Sequence, residues 1–213
     1  MDVVYFKGAW ETKFSPSATS DAPFYCDSDR TVTCKMMSGT GKFRRGSYFP
    51  DCEFVELPYR SGSFSMLVLL PSMPDGLESL EAKLTPENIS RWRIAARLDE
   101  EAIYVQLPKF KFKTTVALAE ILAGMGAPDV FDGHANLSGI DGTTNLYVSS
   151  ALHEAFVEVN EEGTTAGALT HVNHSTKGSP YTFRADHPFV FLVRDNRTGV
   201  ILFLGRVSDP TQA

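Results

Sequence analysis

Cysteine is scarce in this chain of 213 residues: Cys26, Cys34 and Cys52 are the only three, and no two sit in a CxxC pair. That excludes a dense disulfide framework and the common zinc spacings. Long apolar runs are missing too. None exceeds five residues; one such run, 66–70, has the length of a buried strand and falls far short of the ~20 residues that span a bilayer, so no membrane partner is expected. Positive charge is in deficit, with 20 Lys and Arg against 26 Asp and Glu and a net charge of −6. Phosphate binding needs a basic face, which argues against nucleic acid as the main partner. HExxH, the phosphate-cradling glycine loop and GxSxG are all absent. Gly39-Thr40-Gly41 followed by Gly46 lacks the dinucleotide spacing. The five histidines are scattered, and His171 with His174 is too sparse a pair to define a metal site. The reading is a non-enzyme with no catalytic residue, metal or cofactor to assign.

One stretch lacks charge altogether. Residues 164–176 contain no Asp, Glu, Lys or Arg in a chain that is 22% charged. Glu161 and Glu162 stand before the run and Lys177 ends it. Its even positions, Thr164, Ala166, Ala168, Thr170 and Val172, are uncharged and no larger than Val. In a strand they would share one face, because side chains alternate with period two. Burying an unpaired charge there would cost several kcal/mol, and none is present. Such a run suits an exposed loop open to cleavage, a strand entering a sheet, or a plain polar loop. Four Asn-x-Ser/Thr triplets occur, at Asn88, Asn136, Asn173 and Asn196, and a glycan on Asn173 would obstruct strand entry.

The remainder reads as one strand-rich α+β unit over 1–213 with helices in two places. Residues 1–6 lack a charged segment followed by a long apolar core, so they read as a strand rather than a signal peptide. Residues 31–37 and 42–48 flank Ser38-Gly39-Thr40-Gly41, predicted as a hairpin turn. A second hairpin joins 53–57 to 64–70 through Arg60-Ser61-Gly62-Ser63. Helices are predicted over 77–84, 86–96 (Thr85 as cap, Pro86 in the first turn) and 115–125. Strands are predicted over 101–112, 146–159, 189–194 and 200–206. The alternation Lys109-Phe110-Lys111-Phe112-Lys113 reads as an amphipathic strand with a solvated lysine face. Lys42, Arg44 and Arg45 form a candidate patch for a polyanion such as a glycosaminoglycan, with a solvated face as the alternative.

Several segments resemble the serpin family: Tyr5-Phe6-Lys7-Gly8-Ala9-Trp10, Leu107-Pro108-Lys109-Phe110 and Ala135-Asn136-Leu137-Ser138-Gly139-Ile140. The most specific are Ala155-Phe156-Val157-Glu158-Val159-Asn160-Glu161-Glu162-Gly163-Thr164 and Ala185-Asp186-His187-Pro188-Phe189. Order and spacing agree over essentially the whole chain. The resemblance is to the C-terminal portion of a serpin, from the third strand of the main sheet onward, with the N-terminal part absent. It implies three sheets with packed helices and a reactive loop over about 163–181. It also implies a mechanism. A serine protease attacks the loop and forms an acyl-enzyme, and 164–176 then insert between the strands near 3–6 and 146–159.

The family's loop length, counted from either end, places the reactive bond at Lys177-Gly178, with a one-residue slip to Thr176 as the alternative. A lysine there implies a trypsin-like serine protease as partner. The implied hinge and insertion residues are Glu161, Glu162, Gly163, Thr164, Thr165, Ala166, Gly167 and Ala168. Trp10 matches a position where insertion begins and His153 one beneath the inserting strand, with plain core roles as the alternative for both. Thr165 departs from the acidic residue usual there, and Leu169 from the customary small one. The competing expectations are a non-inhibitory serpin (carrier, storage protein or chaperone) and a truncated product without inhibitory activity. Family habit implies a secreted protein, with a cytoplasmic location as the alternative.

Overall fold

A computed structural model of the chain describes residues 2–48, 52–95, 97–98, 102–163 and 181–212. In chain order the strands of the first half are β1 (Asp2–Tyr5), β2 (Ser20–Tyr25), β3 (Thr31–Gly41), β4 (Arg44–Tyr48), β5 (Cys52–Pro58) and β6 (Phe64–Pro71). Helices α1 (Leu77–Glu81) and α2 (Pro86–Ala95) follow, then β7 (Arg97–Leu98), β8 (Ile103–Pro108) and β9 (Phe110–Ala117). The last part holds α3 (Leu118–Gly124), α4 (Ser138–Asp141), β10 (Leu152–Val159), β11 (Thr182–Arg184), β12 (Phe189–Asp195) and β13 (Ile201–Val207). The chain divides into two compact units, 1–6 with 112–157 and 7–111 with 158–213.

The first unit carries the three-stranded sheet, in the order β1-β10-β9. β1 runs parallel to β10 in a four-residue register, Asp2↔His153 to Tyr5↔Phe156, and the Tyr5 and Phe156 rings stack at 5.5 Å. Lys113 pairs with Glu154 at 3.1 Å across β9 and β10. The helix predicted from 115 starts only at Leu118, because the β-branched Thr114, Thr115 and Val116 continue the strand. β10 starts at Leu152 rather than 146. Backbone groups ahead of it are committed elsewhere: Val148 N–H donates to Val130 O at 3.0 Å, and Ala151 O accepts from Leu118 N–H at 2.8 Å.

In the second unit a four-stranded sheet has the order β11-β8-β3-β2 and a six-stranded sheet the order β13-β12-β6-β5-β4-β7. β6 lies mid-sheet and is buried along almost its whole length, which explains why its sequence is a continuous apolar run rather than an alternation. Its β5 partner joins it through the predicted hairpin, with Gly62 at φ +67. Phe54, Leu67, Leu69, Val190 and Leu192 pack with Leu80 of α1 and Trp92 of α2 into one core. Thr85 caps α2 as predicted, its Oγ1 accepting from Asn88 N–H at 3.2 Å.

Two further sequence readings are corrected. Ser38-Gly39-Thr40-Gly41 is not a turn: β3 runs straight through it to pair with β8, and β4 pairs with β5 and β7 instead. The glycines serve close approach, since a Cβ at Gly39 would meet the Phe14 ring at 3.0 Å and one at Gly41 the Phe43 ring at 2.8 Å. The strand predicted over 101–112 is two strands. The chain breaks at Lys109, whose N–H donates to Lys35 O at 2.8 Å, and passes from the four-stranded sheet to the three-stranded one.

Candidate functional site

β10 ends at Val159, and the next four residues close a tight turn. Asn160 N–H donates to Gly163 O and Gly163 N–H to Asn160 O, each at 3.1 Å. Gly163 has φ +113 and bridges antiparallel to Ala9. A Cβ on it would strike Gly8 O, Trp10 N at 2.5 Å and Ala9 Cα at 2.7 Å. These are all backbone atoms, so no side-chain movement makes room, and the position needs glycine. The turn's carbonyls are held as well. Glu162 O accepts from Trp10 N–H and Glu161 O from Phe14 N–H, both at 3.0 Å. The Trp10 indole, 1% exposed, donates from Nε1 to Asn160 O at 3.0 Å. Its ring stacks on Tyr59 with centroids 4.6 Å apart.

The two turn carboxylates reach different cations. Glu161 accepts from Thr19 Oγ1 at 2.8 Å and pairs with Lys109 Nζ at 3.0 Å. Glu162 pairs with Lys13 Nζ at 2.7 Å. Burial disfavours the Glu161 carboxylate, but bonds from its own backbone, from Lys109 and from Thr19, with the Lys109 charge, outweigh it and hold Glu161 below the usual carboxylate range. A depressed acid contributes stability that is complete above its unfolded value and fades as pH falls through its folded value. Glu161→Gln is therefore expected to lower stability by ~1–2 kcal/mol at pH 7. The gap to the parent closes as the pH drops below about 4, which urea unfolding at pH 7, 5 and 3.5 would measure.

Of the residues implied by sequence, the structure brings Trp10, Glu161, Glu162 and Gly163 together around this turn. His153 stands apart, half-buried at the β1–β10 seam opposite Asp2. Thr164, Thr165, Ala166, Gly167, Ala168, Lys177 and Gly178 lie outside the described residues. Lys13, Thr19 and Lys109 were not anticipated as anchors. Lys109 carried one signal, its place just after Leu107-Pro108 where the strand breaks, while Lys13 carried none.

At the far end of the uncharged run, the Tyr181 hydroxyl bonds to Glu53, and the Arg45 guanidinium lies over the Tyr181 ring, 3.8 Å from its centroid. Burial and the Glu53 contact push the Tyr181 phenol up to about 12. Arg45 thus faces Tyr181, while Arg44, its neighbour in β4, points to the opposite face of the strand. Arg44 and Arg45 therefore do not share a face of β4. Among the described residues no cluster of His, Cys, Asp and Glu is placed to hold a metal ion, and no helix is long and apolar enough to cross a membrane. The three cysteines are buried free thiols.

Three sheets with few helices, and a pinned turn following β10 in the chain, define the class as an α+β protein of serpin architecture. The sequence profile of the serpin (serine protease inhibitor) family matches residues 1–210, and the chain belongs to that family. It is 41% identical over 218 residues to the leukocyte elastase inhibitor of Bos taurus, covering 99% of this chain and 58% of that protein. To Serpin B3 of Homo sapiens it is 38% identical over 214 residues, covering 99% of this chain and 55% of that one. Uncleaved ovalbumin superposes with a TM-score of 0.86 at 36% identity, over 98% of this chain and 53% of ovalbumin. A loop-inserted, cleaved ovalbumin mutant gives 0.84 at 34% identity, over 96% and 53%. The chain therefore spans a little over half the length of the relatives it matches.

Proposed function

We propose that this chain carries the sheet seam, hinge and bait loop of one serpin domain that inhibits serine proteases as a suicide substrate. The loop is residues 163–181. A protease serine attacks the carbonyl carbon of Lys177, the Gly178 amine departs, and an ester joins the two proteins. Freed from its C-terminal tether, the uncharged run 164–176 parts β1 from β10 and takes the place between them. Each ladder bond gained contributes about 1 kcal/mol net. Two separate observations support this reading: the parallel pairing of β1 with β10, and the glycine turn pinned at both carboxylates. In this reading His153, opposite Asp2 in the β1–β10 register, would lie beneath the entering strand, and Trp10, bonded to Asn160 O, would mark where entry begins.

The lysine defines the target class. An acidic specificity pocket accepts it, whereas the small pocket of an elastase does not, so the preferred partners are trypsin-like even though several relatives are named elastase inhibitors. Thr165 and Leu169 favour a second reading, a serpin whose loop is cut without trapping. The expected secretion rests on family habit alone; the relatives' names add nothing to it, and three free thiols are compatible with a reducing compartment.

Incubation with trypsin and, in parallel, with leukocyte elastase tests the proposal. The expected result is a denaturant-resistant adduct with trypsin and release of a peptide of residues 178–213 measured by intact mass. Clean cleavage after Lys177 with no adduct supports the substrate-only reading, and adduct with elastase alone moves the reactive bond off Lys177.

A further inference from the structure

We infer that His187 is a pH-operated clip at the crossover between the four-stranded and six-stranded sheets, fastening β11 while its imidazole is doubly protonated and loosening it on losing a proton. The inference goes beyond the trapping scheme and stands without it.

Its motive is a count of protons. His187 Nδ1 lies 2.9 Å from Asp186 Oδ1 and Nε2 lies 2.8 Å from Pro71 O. Carbonyls and carboxylates accept, so each ring nitrogen has to donate. A neutral imidazole carries one N–H and forfeits one of the two bonds, while the imidazolium keeps both. Pro71 is the last residue of β6, and residues 185–188 join β11 to β12. The clip thus ties the end of a central strand to the connection leaving an edge strand.

β11 is a short edge strand, anchored in the core by the fully buried Phe183. It pairs over three residues only, Thr182↔Tyr104, Phe183↔Val105 and Arg184↔Gln106. Beyond its own ladder, Ala185 N–H donates to Gln106 O at 3.0 Å, Arg184 Nε–H to Gln106 Oε1 at 2.6 Å, and Tyr25 N–H to Asp186 O at 2.8 Å. A cavity of about 370 Å³ opens beside the ring, bordered by Ser47, Glu53, Thr182 and Arg184, so the crossover has room to shift.

Charge around the ring favours the protonated form. Burial opposes it, but the bonds to Asp186 and Pro71 and the charges of Asp186 and Glu53 outweigh burial and hold His187 above its ordinary value. The other titratable groups on the cavity wall are Glu53 and Cys52 of β5 and Arg184 of β11, while β4 and β6 present Ser47, Leu70 and Pro71. For a base with a raised pKa, the contribution is complete below the unfolded value of about 6.5 and is lost as pH rises through the folded value. The clip therefore closes at low pH and opens as the pH rises through the raised folded-state value.

Two measurements on the 213-residue chain test this. In an NMR titration of the ¹⁵N-labelled protein the His187 ring is expected to titrate above the ordinary imidazole range; a midpoint at or below ~6.5 overturns the inference. Hydrogen exchange of the Phe183 and Ala185 amides, corrected for intrinsic rate, is expected to lose about fivefold to tenfold in protection between pH 5.5 and 8.5. In His187→Gln that pH dependence should vanish. Persistence of the same pH dependence in the variant overturns the clip, whatever the outcome with proteases. The ring titration needs no substitution, so a poorly folded variant does not leave the question open.

Discussion

Gly163→Ala is expected to be the most damaging small substitution in the described chain, lowering stability by ~3–5 kcal/mol. Two costs add. An L-residue at φ +113 occupies a region it rarely adopts, and its methyl group would collide with the backbone of Gly8, Ala9 and Trp10. Relief requires the strand-like segment at 8–10 to move away. That would break the Ala9–Gly163 bridge and the bond from Trp10 N–H to Glu162 O. Against a total stability of ~5–15 kcal/mol for a typical domain the loss is large. A urea unfolding curve should show it as a midpoint lowered by ~1–2 M with little change in slope. A loss under ~1 kcal/mol would mean the turn relaxes freely and is not pinned as described.

Trp10→Ala is expected to cost a similar ~3–5 kcal/mol, for a different reason. The indole is 1% exposed, stacks on Tyr59 and stands edge-on to Phe14 at 6.5 Å. Truncation leaves a cavity among aromatic rings and strips Asn160 O of its side-chain donor. Trp10→Phe separates these effects. It keeps a flat ring and loses the bond and some volume, so its cost should be nearer ~1–2 kcal/mol. Both are read from chemical unfolding. Since the chain has only two tryptophans, the emission difference between parent and Trp10→Phe also isolates Trp10 as a reporter of the turn. Equal costs for the two variants would show that the hydrogen bond rather than the packing dominates.

How far these features were legible in the sequence depended on how local they were. The uncharged run stood out locally because no charge falls between Glu162 and Lys177, whereas a hinge role for Glu161, Glu162 and Gly163 came only with the serpin resemblance. The β5–β6 hairpin was legible for the same reason, two apolar runs around a Ser-Gly-Ser turn. Gly39 and Gly41 misled because glycine has two uses. Turn propensity is visible locally, whereas the rings of Phe14 and Phe43 that need the missing Cβ atoms come from elsewhere in the chain. At 115–117 the apolar spacing suggested a helix, and β-branched side chains continuing a sheet prevailed. The anchors of the turn carboxylates were illegible: Lys13 and Glu162 lie 149 positions apart, and nothing near either predicts the other.

The turn at 160–163 also fixes a direction. Asn160 and Gly163 exchange both of their hydrogen bonds across Glu161 and Glu162, so the backbone at Gly163 runs antiparallel to that at Asn160. β1 and β10 point the same way. A strand of that polarity between β1 and β10 would run opposite to both neighbours at once. One short parallel ladder would be exchanged for two antiparallel ones, with evenly matched donors and acceptors on either side and the better-aligned bonds of that pairing.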